Sequence, residues 1–114
     1  MGMACHAFTS FINSLISVRE SKIEKDVCKW AKANGIRPIK VTPVNDGGWL
    51  DHMFLYHYPL IAFIEFKAPG EMPDERQNER IAEVLLRGFP AGVFDDTDKA
   101  IAFLDATLLS VRRS

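Results

Sequence analysis

The chain has 114 residues, 47% hydrophobic and 25% charged, with a formal net charge of −1. That suffices for one domain around one modest core. No apolar run approaches the roughly 20 residues of a membrane span, and residues 1–20 lack the basic start and compact apolar stretch of a signal peptide, so a cytoplasmic protein is expected. The near-neutral balance offers no bulk attraction for nucleic acid, although clustered acids can mask a local basic groove. Cys5 and Cys28 match no zinc or redox spacing.

In chain order, Phe8, Phe11, Ile12, Leu15 and Ile16 recur at helical spacing, which predicts a helix over residues 4–20. It either packs on its own domain or serves dimerisation, and it is set apart as an extension, 1–20, from a domain spanning 21–114. Ser21-Lys22-Ile23-Glu24 reads as the start of a second helix, running to about Ala33 and ended by Asn34-Gly35. Ile23, Val27 and Trp30 form its core face, beside a basic stripe of Lys22, Lys25, Lys29 and Lys32. A solvated face is the ordinary explanation of such a stripe; a track for a DNA backbone is the other. Ser-x-x-Glu is also a capping box, in which Glu24 satisfies a backbone donor at the helix start.

Ile36–Val44 reads as a strand confined to an edge or interrupted by Pro38 and Pro43, and Asn45-Asp46-Gly47-Gly48 as a loop, with Asp46 a turn residue. Leu50–Tyr58 and Pro59–Lys67 read as a hairpin. The second of these strands is apolar on both faces, the pattern of a central strand covered on each side. Yet Glu65 and Lys67 end one of its faces, where ionised groups are costly unless paired or bound. If the turn centres on Tyr58, Asp51 lies opposite Glu65, with Cβ atoms about 4.5–5.5 Å apart. Two carboxylates that close repel unless protonated or bridged by a cation, and a hard divalent ion is the natural bridge. A two-residue turn at Tyr58-Pro59 would instead pair Asp51 with Phe66 and break the arrangement. His52 and His57 are expected to be structural or exposed, and Trp49 to pack.

Pro73, Asp74 and Glu75 suit the start of a helix reaching about Arg87, with Ile81, Val84, Leu85 and Gln77 inward and Arg76, Arg80 and Arg87 extending a basic surface. Pro90–Phe94 reads as a short strand, parallel to a neighbour if the preceding helix is a crossover. Asp96 or Thr97 caps a last helix carrying Ile101, Leu104 and Leu108, which frays from Val111 onward.

Asp51 … Glu65-Phe66-Lys67 resembles the D…ExK signature of PD-(D/E)xK nucleases. Together with Glu24 on the preceding helix and Gln77 on the following one, it is similar to the VRR-NUC branch, especially its small stand-alone viral or phage-type members. The likeness covers roughly Ser21 to Leu104. Where that branch usually has Gly-x-Pro-Asp, this chain has Gly48-Trp49-Leu50-Asp51, a departure that affects the turn more than the acid. The resemblance implies an α/β fold with a restriction-endonuclease-like αβββαβ core, its mixed central sheet flanked by helices.

The resemblance further implies a Mg²⁺- or Mn²⁺-dependent DNA endonuclease. Asp51, Glu65, the Phe66 carbonyl and Glu24 would serve the metal, Lys67 would orient water or stabilise the transition state, and Gln77 would position water or the DNA strand. By analogy with Holliday-junction resolvases, a homodimer acting on four-way junctions is expected, since two symmetric cuts need two related sites. Flap or linear DNA is the alternative substrate. A non-catalytic nucleic-acid-binding module is the rival class, but it has no use for an intact Asp51/Glu65/Lys67 set.

Overall fold

A computed structural model describes the backbone of residues 2–41 and 50–113 and the side chains of 18–41 and 50–112. In chain order the elements are α1 (Gly2–Ala33), β1 (Arg37–Lys40), β2 (His52–Leu55), β3 (Ile61–Phe66), α2 (Glu75–Leu86), β4 (Ala91–Phe94) and α3 (Thr97–Arg113). The strands lie in the order β1-β2-β3-β4. The β1–β2 and β2–β3 pairs are antiparallel and β3–β4 is parallel, so the sheet is mixed. α2 is the crossover that a parallel pair requires. This is the expected αβββαβ order, followed by one helix.

β3 is central, and from Ala62 to Phe66 it is buried on both faces. Its even-numbered residues Ala62, Ile64 and Phe66 join Phe54 and Tyr56 of the hairpin, Ile23, Val27 and Ala31 of α1, and Ala100, Leu104 and Leu108 of α3 in the larger core. Its odd-numbered Phe63 packs with Leu50 and with Val84 of α2 in a smaller one. Two helices therefore cover one face and one helix the other. The Tyr56 hydroxyl donates to the Leu104 carbonyl at 2.9 Å, tying the hairpin loop to α3.

The hairpin register is His52 to Ile64, Met53 to Phe63, Phe54 to Ala62 and Leu55 to Ile61. That is a turn centred on Tyr58, and the alternative pairing of Asp51 with Phe66 does not occur. All four strands are shorter than expected. β1 loses Ile36 to the helix turn before it, although Val41 N–H still donates to the Asp51 carbonyl at 2.7 Å.

The largest correction concerns α1. Residues 2–33 form one helix, and Ser21 sits in its interior. A capping box requires non-helical backbone at the cap, so Glu24 is not engaged at a helix start. The helix ends in a Schellman turn: Ile36 N–H donates to the Ala31 carbonyl at 2.9 Å and Gly35 N–H to the Lys32 carbonyl at 3.2 Å, with Gly35 at φ +76°. The Phe8–Ile16 stripe, the Asn45–Gly48 loop and Trp49 lie outside the residues or side chains described.

Asp74, not Pro73, starts α2 as its N-cap. Leu85, expected inward, is 50% exposed, while Val84 takes the buried position. Asp96 caps α3, its carboxylate accepting from Lys99 N–H at 2.9 Å, and that helix remains regular through Arg113. Among the described residues no helix is long and apolar enough to cross a membrane.

Candidate active site

Continuing the hairpin register by one residue brings Asp51 opposite Glu65, and the two are interlocked. Asp51 N–H donates to Glu65 Oε2 at 3.0 Å, and Phe66 N–H donates to Asp51 Oδ2 at 3.3 Å. Each carboxylate thus takes a backbone donor from the opposing strand. Glu65 is only 3% exposed. An acid in that position is tolerated only because its oxygens are occupied.

The second oxygen of Glu65 is served from α2. Gln77 Nε2 donates to Glu65 Oε1 at 2.5 Å. The same amide completes a capping box: Gln77 Oε1 accepts from Asp74 N–H at 3.0 Å, and Gln77 N–H donates to Asp74 Oδ1 at 2.8 Å. The helix start therefore dictates which end of the Gln77 amide faces the sheet. Lys67 Nζ lies 3.8 Å from Glu65 Oε1, on a side chain 13% exposed.

From the opposite face, α1 contributes a third acid and a fourth. Carboxylate oxygens of Glu20, Glu24 and Asp51 all lie within 4.8 Å of one another. Glu20 and Glu24 are one helical turn apart, at the spacing that places side chains on one face. Behind Glu24 stands His52, which is 5% exposed. Its ring stacks on Phe54 with centroids 6.0 Å apart and meets Phe66 edge-on at 5.2 Å. Its Nδ1 has no hydrogen-bond partner and lies 3.7 Å from Glu24 Oε1.

The charges are held at a cost. Burial, then the charge of Asp51, pushes Glu65 up to about 7, against the lowering pull of Asp51 N–H and Lys67. Burial raises Asp51 as well, opposed by Phe66 N–H, by Lys67 and Lys40, and by a hydrogen bond from Glu65. Glu24 is raised by burial and by Asp51, with Lys40 opposing. Glu20 is raised by burial, then by Asp51, Glu71 and Glu24. Burial first, then Lys40, lowers His52 to about 4, so its imidazole is neutral. The donors that converge are carboxylate oxygens, the set that suits Mg²⁺ or Mn²⁺ rather than a thiolate-seeking metal. Three carboxylates that close, each raised chiefly by burial, with Glu65 adjoining Asp51, fit a divalent cation.

Neither the family models nor the curated proteins compared with this chain match it. A solved structure described as a VRR_NUC domain does, with a TM-score of 0.69 over 76% of this chain and 95% of its own, at 19% identity. The fold is that of a VRR_NUC domain. Glu24, Asp51, Glu65, Lys67 and Gln77 lie together at one end of the sheet. Phe66 contributes its main chain to the same end of the sheet.

The basic residues are spread more widely. Lys22, Lys25, Lys29 and Lys32 are all exposed, and at about 100° per residue their stripe lies round α1 from Glu20 and Glu24. Arg76 is exposed on α2, while Arg80 lies 3.4 Å from Glu83. Sequence reasoning missed Glu20, Lys40 and the burial of His52. The signal for Glu20 was its i, i+4 relation to Glu24, hidden by reading Ser21 as a helix start. Lys40 was legible as the β1 residue that pairs with His52.

Proposed function

We propose that this chain is a divalent-metal-dependent endodeoxyribonuclease of the VRR-NUC type that hydrolyses DNA phosphodiesters, acting on four-way or similarly branched DNA as a homodimer. The observation that carries this reading is the pairing of half-buried Asp51 with buried Glu65, each acid held by the other strand's N–H and Glu65 held again by Gln77. A structural ion pair would not require four acids at one end of a sheet. The likeness to a structure described as a VRR_NUC domain supports the same reading.

Asp51 and Glu65 would hold Mg²⁺ or Mn²⁺, with the Phe66 carbonyl as a further ligand and Glu24 completing the site. The cation, when bound, supplies charge neutralisation at the phosphate and acidifies water at neutral pH. The chain's own groups do the rest. Gln77 keeps Glu65 oriented through a neutral donor. Lys67, a compact charge within 3.8 Å of Glu65, orients the attacking water and stabilises negative charge developing on the phosphate, roles arginine would not reproduce. Lys40, Arg76 and Arg80 offer phosphate contacts near the acids, and the α1 lysines contact a more distant arm of a branched substrate. Residues 1–20, continuous with the rest of α1, act as the extension that joins two protomers, except that Glu20 at its end belongs with the acids of the nuclease domain, 21–114.

The test is cleavage of labelled four-way junction, flap and linear duplex with Mg²⁺, Mn²⁺ or EDTA, alongside Glu65→Ala and Lys67→Ala. Paired symmetric nicks in the junction, lost in EDTA and in both variants, are expected. Cutting mainly of flap or linear DNA overturns the branched-DNA assignment. Tight binding without cleavage under any metal identifies a binding module instead. Light scattering of the protein in solution tests the dimer.

A further inference from the structure

We propose that His52 is a positioning residue that holds the Glu24 carboxylate in place for the metal through its Nδ1–H. This role rests on the metal-dependent reading above and extends it to a side chain outside the Asp51, Glu65 and Lys67 set.

The two acids of the hairpin each have an oriented donor. Glu65 takes Asp51 N–H and Gln77 Nε2, and Asp51 takes Phe66 N–H. Glu24 faces His52 instead, with Nδ1 3.7 Å from Oε1. That is just beyond a direct hydrogen bond, at a separation a small rotation of the Glu24 side chain or one bridging water closes. The imidazole cannot turn elsewhere: it is 5% exposed and fixed between Phe54 and Phe66. Its Nδ1 is otherwise without a partner, and burying a polar atom unsatisfied is unfavourable.

An aromatic hydrocarbon would fill the same space without that penalty. The polar atom therefore has a use, and the atom it faces is a carboxylate oxygen of the Glu20/Glu24/Asp51 cluster. With Nδ1–H engaging Oε1, Glu24 presents Oε2 to the cation or to its water. Carboxylates that ligate metals are commonly held by such a donor, and losing it typically costs about 10–100-fold in metal affinity or activity.

The experiment measures Mn²⁺ binding by calorimetry on the full chain, with His52→Phe, His52→Asn and His52→Gln compared for folding by circular dichroism. Asparagine places an amide N–H near the Nδ1 position, glutamine places it near Nε2, and phenylalanine keeps the ring without a donor. His52→Phe and His52→Gln are expected to weaken Mn²⁺ binding by about tenfold or more. His52→Asn should recover to within about threefold, because it restores the donor. Combining His52→Phe with Glu24→Gln should weaken binding no further than Glu24→Gln alone. If the parent binds Mn²⁺ and folded His52→Phe or His52→Gln binds it equally well, the role is overturned. It is also overturned if asparagine is no better than glutamine, or if the two substitutions add. A parent that binds no Mn²⁺ overturns the metal-dependent reading itself, and this role with it.

Discussion

Glu65 sets the pH behaviour of the site. Its folded pKa near 7 stands above an ordinary carboxylate value of 4.5, chiefly through burial. The folded state therefore holds more protons than the unfolded chain between those values, and stability falls as pH rises through that window before levelling above it. Asp51, Glu24 and Glu20 are shifted in the same direction. In EDTA, the melting temperature should be higher near pH 5 than near pH 8. On the proposed metal-dependent reading a divalent ion would take the place of the proton on Glu65, so Mn²⁺ should raise the melting temperature more at pH 8 than at pH 5. Thermal unfolding in the two buffers, with and without Mn²⁺, checks both statements, and equal Mn²⁺ effects would argue against the acids as ligands. Gln77 makes a second test at this scale. Gln77→Ala removes half of a capping box and a donor to a buried carboxylate, so urea unfolding should report a loss of about 1 kcal/mol. Cleavage should drop on the order of tenfold, the usual consequence of losing the partner that orients a ligand.

Elements explain why part of the site was legible in the sequence and part was not. The hairpin was legible because β3 is apolar on both faces up to Glu65, and of the two turns open in the sequence the one centred on Tyr58 pairs Asp51 with Glu65, which is the register observed. The start of α2 was legible from its proline and acids, but a site role for Gln77 came only from the family resemblance. α1 was not, because Ser-x-x-Glu satisfies the local pattern of a helix start while the chain carries the helix through it. Local side-chain chemistry cannot tell a cap from an interior serine when the flanking residues are helix-compatible on both sides. That one ambiguity concealed Glu20. Likewise His52 looked ordinary in sequence, since its burial comes from Phe66 across the hairpin and Glu24 on another element. Ser21→Ala separates the two descriptions of α1. An interior position should gain a few tenths of a kcal/mol from the better helix former, whereas a true cap would lose about 1 kcal/mol. Chemical denaturation should give the gain.

At the scale of the whole molecule, the acids and the lysine stripe lie on different sides of one helix. A single straight duplex at the acids would meet Lys40 before it met Lys25 or Lys29. Neutralising Lys25 and Lys29 together should therefore leave linear-duplex affinity unchanged but weaken four-way-junction binding. The slope of log affinity against log salt should become shallower by about 2 for the junction alone. Fluorescence anisotropy across a salt series measures both, and equal losses on both substrates would remove the second-arm interpretation.

The double use of the Gln77 amide has a temporal consequence. Asp74 and Glu65 compete for no atom of it, yet one side-chain conformation serves both bonds. Each time the first turn of α2 frays, Glu65 loses the second of its two donors in the same event. The rate at which the Gln77 amide proton exchanges with solvent is therefore a clock for how often the site comes apart, readable in the resting protein with no substrate present.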